Sequence, residues 1–172
     1  MKLQGAITIN GRKYSKGDEV PWKIVYPFFM VHMLAFGLSG FFMAYSPEGP
    51  GVFFLYLHGG FAIFVYLVFY LTMFGREQVR WMFINAGLGL FGIYAEIGWI
   101  LDWFGTTLED YPLHVHVIPF LYYILYTFLL RQALLDISHA RDDQQRRRRV
   151  ERFYIIASVI VYGVIFLTGR TG

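Results

Sequence analysis

Long apolar runs bounded by charge constrain this chain more than any other feature. They cover roughly residues 24–45, 52–74, 81–104, 113–130 and 153–168. A helix needs about 20 apolar residues to cross about 30 Å of hydrocarbon. The first three runs reach that length and the fourth just does. The fifth is the shortest, and bilayer thinning or snorkelling by Arg152 and Arg170 would accommodate it. Backbone in a bilayer must satisfy its own hydrogen bonds, and these runs are far longer than barrel strands. The expectation is an all-α polytopic membrane bundle. Residues 1–22 form a cytoplasmic segment, and residues 23–172 form one transmembrane domain of five helices.

Composition points the same way. The 172 residues are 56% hydrophobic, 20% aromatic and only 16% charged, well outside the profile of a soluble domain. There is no cysteine, which excludes disulfides, thiolate metal sites, iron–sulfur clusters and covalently attached c-type haem.

The basic residues give a threading. Lys2, Arg12, Lys13, Lys16 and Lys23 precede the first run, Arg76 and Arg80 follow the second, and Arg141 and Arg146–Arg149 follow the fourth. Placing the N-terminus inside puts every lysine and arginine except Arg170 on the cytoplasmic side. The opposite connections, "SPEGPG" and "TTLEDYP", carry acids and no bases. This is the positive-inside asymmetry, and it predicts N-in, C-out threading in a bacterial-type cytoplasmic (inner) membrane. The run Arg146–Arg149 reads as a loop that fixes topology and attracts anionic lipid headgroups. No aromatic residues interleave it, so nucleic acid is not the expected partner. The bilayer is the main partner, with a homo-oligomer or a larger membrane complex as further ones. The residues before the first run are polar and that run is long enough to be retained, so no cleavable signal is expected.

Within the N-terminal segment, "AITINGRKYSKGDEV" alternates apolar and polar residues around Asn10-Gly11. Asn-Gly is the favoured pair for a type I′ turn, so a short cytoplasmic β-hairpin is expected. An isolated hairpin is marginal and should lean on the bundle, the headgroups or a partner.

Small residues recur at helical spacing. "GLGLFG", Gly87 to Gly92, matches the dinucleotide fingerprint, but it lies inside a predicted membrane helix whose amides are already committed. It reads instead as close helix packing. Asn85, Gly89, Gly92 and Glu96 form a small polar stripe on that helix, and Met33, Gly37, Gly40 and Ala44 do the same on the first. Both stripes should face the bundle interior.

Ionisable residues within hydrocarbon are costly and point to function by default. At 1.5 Å per residue, His58 lies about 25 Å above Gly75, Glu96 about 24 Å above Arg80, and His114 and His116 about 25 and 22 Å above Arg131. Four residues thus share one level in the outer part of the membrane, whereas His32 sits about 14 Å above Lys23. Three imidazoles and a carboxylate are the inventory of a transition-metal site, with His58, Glu96, His114 and His116 as ligands. The alternative is a b-type haem with axial imidazoles from His58 and either His114 or His116, lined by the aromatic residues of "FFLYLH" and "PFLYYILY".

The "HVH" spacing complicates both. On an ideal helix His114 and His116 stand about 200° apart. If the helix starts only at Pro119, which cannot donate to the Val115 carbonyl, "LHVHV" can be extended and the two can share a face. Otherwise one is a ligand and the other faces headgroups. Two further readings compete with a metal- or haem-dependent membrane redox protein. One is a non-catalytic subunit or scaffold with a structural polar cluster. The other is a proton- or cation-coupled transporter in which Glu96 and His58 relay protons and Asp102 guides entry. There is no nucleophile elbow, H-E-x-x-H or phosphate loop, so hydrolase and kinase chemistry have no support.

Overall fold

The computed structural model describes residues 2–9 and 11–168, with the side chains of Ile9, Ile24, Ile84, Asn85, Gly87, Leu88 and Phe91 outside the description. Its elements are β1 (Ile7–Ile9), β2 (Arg12–Tyr14), α1 (Trp22–Tyr45), α2 (Val52–Phe74), α3 (Arg76–Trp103), α4 (Val117–Ile137) and α5 (Gln144–Thr168). Two short 3₁₀ turns, Leu108–Asp110 and Leu113–His116, lie between α3 and α4. Four segments are long and apolar enough to cross a membrane: Val25–Tyr45, Val52–Phe74, Leu113–Ile137 and Gln144–Thr168. That is the architecture of a multi-pass membrane protein. α3 is not among the four, and several side chains at its middle are outside the description.

The hairpin is present. β1 and β2 pair antiparallel with Ile7 opposite Tyr14 and Ile9 opposite Arg12. Gly11 has φ +77°, as a tight turn requires, while Asn10 lies outside the described residues. The neighbouring chain is tied to the bundle: the Gln4 amide donates to the Thr72 carbonyl at 3.2 Å, and Leu3 and Val20 are buried in the core. Among the three supports open to a marginal hairpin, the bundle supplies one.

α4 is the central helix, touching each of the other four. It approaches α2 closely at Gly59, where an added Cβ would come within 2.4 Å of Ile118. Tyr70 is fully buried and donates its hydroxyl to the Leu125 carbonyl at 3.0 Å, joining α2 to α4 near the core. α5 lies at the periphery against α3 and α4 and has no buried residue.

Three boundaries differ from the sequence reading. "GREQVR" is not a loop, because α3 begins at Arg76 and α2 joins it through Gly75 alone, at φ +83°. Arg146–Arg149 is not a loop either but the opening turns of α5. Asp143 caps this helix, its Oδ1 accepting from the amides of Gln145 and Arg146 at 2.9 and 3.0 Å. Third, "LHVHV" is not extended: Leu113–His116 is a 3₁₀ turn and α4 begins at Val117. Pro119 then falls in the first helical turn, where a missing N–H leaves no bond broken.

Candidate functional site

The 3₁₀ turn separates the two histidines of "HVH". At three residues per turn, side chains two apart diverge. His116 is buried, with its Nδ1 2.8 Å from the Tyr45 hydroxyl and its ring near Tyr45 and Tyr94. His114 is exposed, and it is its carbonyl, not its ring, that is engaged, by the Tyr56 hydroxyl at 2.7 Å.

The other two candidates have different surroundings. His58, on α2, stacks on Phe54 with centroids 6.1 Å apart and lies 5.7 Å from the ring of Phe36. It lines an apolar groove between α1 and α2 that also contains His32. His32 was set aside at the sequence level on depth, yet it is His32 that shares a surface with His58. The His32 Nδ1 pairs with the Phe28 carbonyl one turn earlier, at 2.8 Å. Glu96, on α3, is half-buried within hydrogen-bonding reach of Tyr123 on α4, whose hydroxyl pairs with that of Tyr162 on α5. His58, Glu96, His114 and His116 therefore each have their own neighbours. Among the described residues, no three of histidine, cysteine, aspartate or glutamate form a metal set.

The most concentrated polar chemistry lies at the hairpin end, among residues of which the sequence reading used only Arg131, as a depth marker, and Arg141, as a topology marker. Asp136, near the end of α4, is buried. It accepts a fork from Arg141, Nε to Oδ1 at 2.5 Å and Nη2 to Oδ2 at 2.9 Å, and also accepts the Tyr26 hydroxyl. Burial opposes the charge on Arg141, but Asp136 and Tyr26 outweigh it and hold the guanidinium more firmly protonated than usual. A turn makes this possible. The His139 amide donates to the Asp136 carbonyl and the Ala140 amide to the Leu135 carbonyl, folding the chain back so that Arg141 meets Asp136.

Beside it, Arg131 is buried with 6% exposure and pairs through Nη2 with Glu151 on α5, which also takes Arg147 Nε at 3.1 Å. Arg131 Nη1 and Gln132 Oε1 are buried with no hydrogen-bond partner among the described residues. A signal existed: Tyr122, Leu125, Leu129, Gln132 and Asp136 recur at three- and four-residue spacing, so one buried face of α4 turns from apolar to polar toward its end. Three of these side chains are less than 3% exposed, Leu125, Leu129 and Gln132.

No family model matches this chain, and neither a curated protein nor a solved structure does.

Proposed function

We propose that this is a non-catalytic membrane subunit or scaffold of five spanning helices, with the N-terminus and hairpin on the cytoplasmic side of a bacterial-type inner membrane. In it, the intramembrane histidines and glutamate serve as hydrogen-bonding groups that join helices. The observation that carries this reading is the pairing of His116 with Tyr45, which links the start of α4 to the end of α1. The paired Tyr123 and Tyr162 hydroxyls supply the same kind of link between α4 and α5, and Glu96 of α3 lines one cavity with Tyr123. A polar group in hydrocarbon gains about 0.6 kcal/mol from such a contact, enough to select one packing among several. Positive-inside charge supports the threading, since the basic residues gather at the hairpin end.

An absorption spectrum with elemental analysis of the purified protein tests the reading. The expected result is no Soret band and no stoichiometric metal, with thermal stability lowered by Tyr45→Phe and by His116→Ala to a similar extent. A transition-metal ion or b-type haem that is lost on replacing His58, Glu96, His114 or His116 with alanine would overturn it in favour of the redox reading.

A further inference from the structure

α3, α4 and α5 meet at the hairpin end around a cavity of about 260 Å³. Its lining includes Arg131, Arg147 and Arg148, with Gln144 and a single acid, Glu151. Glu151 is shared between Arg131 and Arg147, so positive charge is left over. Arg131 is the decisive member. It is 6% exposed, and its Nη1 is buried with no acceptor among the described residues. A buried charged donor without an acceptor costs more than a neutral one, so the positive charge of Arg131 is only partly neutralised by Glu151.

The cavity has Arg131, Tyr154 and Ile155 in common with a neighbouring, largely apolar groove along α3, α4 and α5 past Met82, Gly89, Ile93 and Val159. At Gly89 an added Cβ would meet only Ile93 of its own helix within 4 Å among the described residues, at 3.7 Å. A charged chamber beside an apolar groove matches a ligand with an anionic head and an acyl tail. Trp81 borders the chamber, as an aromatic side chain at headgroup level does.

We infer that this chamber and groove form a binding site for one anionic phospholipid, its phosphate on Arg131, Arg147 and Arg148 and one acyl chain along the groove past Gly89. The inference rests on the membrane reading above and adds to it a defined lipid partner. Charge distinguishes the site from general lipid contact, because a zwitterionic headgroup brings its own cation against three arginines. The groove distinguishes it from a free phosphate site.

The test uses the full chain purified in a neutral detergent, with phosphatidylglycerol, phosphatidylcholine and inorganic phosphate as separate probes. Lipid retained per protein is read by native mass spectrometry, and affinity by the shift in thermal unfolding. One phosphatidylglycerol should be retained, and it should raise the unfolding temperature saturably where phosphatidylcholine does not. Arg148→Gln should weaken it about fivefold, the value of one arginine near an anionic surface. Gly89→Leu should weaken it more than about tenfold by displacing methylenes from the groove, with little change in the lipid-free protein. Arg148 is exposed and Gly89 is unobstructed, so both variants are expected to fold. Equal retention of the two lipids would overturn the proposal. So would inorganic phosphate reproducing the full shift while Gly89→Leu leaves lipid affinity intact. Release of the chain from membranes by alkaline carbonate is a separate outcome, and it would bring down the membrane reading itself.

Discussion

His139 holds φ at +50°, in the left-handed region that costs a residue with a side chain about 1 kcal/mol. Its side chain is exposed, so the backbone turn is its main contribution. His139→Gly is therefore expected to stabilise the protein by about 1 kcal/mol in detergent unfolding; a loss of stability would mean that the imidazole itself is needed. Asp136 is the opposite case. Asp136→Ala leaves Arg141 facing a buried site without its carboxylate and should cost about 3 kcal/mol. Asp143 allows a pH test. The Arg146 amide holds its carboxyl below the ordinary aspartate range, opposed by desolvation and helped by the Gln145 amide and the nearby arginines Arg146 and Arg149. A carboxylate whose folded pKa is depressed stabilises above its unfolded pKa of about 3.9, and that contribution fades as pH falls through the lower folded value. Asp143→Asn should therefore melt below the unaltered chain at pH 7 and converge with it near pH 2. A gap of constant size at both pH values would assign the difference to geometry, not charge. The roles of His139 and Asp143 were not read from the sequence, whereas Asp136 lies on the three- and four-residue spacing that marks the buried face of α4.

Among the helices, the glycine stripe of α3 divides into two kinds. At Gly92 an added Cβ would come within 2.5 Å of the Tyr162 ring, so α5 is seated directly on that glycine. Gly92→Leu should therefore cost about 2 kcal/mol by overpacking, measured by thermal unfolding, and loosen α5. Gly89, one turn earlier, was expected to pack in the same way and instead borders open groove. Substitution there should leave the lipid-free protein nearly unchanged. The contrast shows what the sequence could convey. Length and apolarity announced the helices, and spacing announced a small-residue stripe. Which neighbour each glycine meets depends on how α5 is seated, and no local pattern encodes that. Helix starts were lost for a related reason. Hydropathy ignores arginine and glutamine, yet both are good helix formers, so α5 begins at Gln144 while the apolar run begins later. Whether the four candidate ligands share one site is hidden from the sequence on the same ground. Counting residues gave the depth of His58, Glu96, His114 and His116, but their positions around the bundle depend on helix rotation and on the 3₁₀ turn before α4.

For the molecule as a whole, threading is the property that charge controls. Reporters placed after Tyr45, or within residues 106–112, should read as external, and one placed between Ser138 and Asp143 as cytoplasmic. An external reading at the last position would reverse the assignment of the arginine-rich end. The seating of α5 has a further consequence, for how the molecule comes apart. Phe153, Ile156, Val159, Ile160, Val164 and Leu167 are each more than half exposed, and the helix buries no residue of its own. Its hold on the rest comes from the Arg131–Glu151 pair, the Tyr123–Tyr162 hydroxyls, the Tyr154 hydroxyl on the Thr127 carbonyl and the ring over Gly92. Such a helix can detach while the core around α4 stays closed, so the protein should open in two steps of different free energy. Amide exchange in micelles would record this as α5 protons lost in one early group, well ahead of those in α2 and α4, and the last helix would behave as a latch on an already finished body.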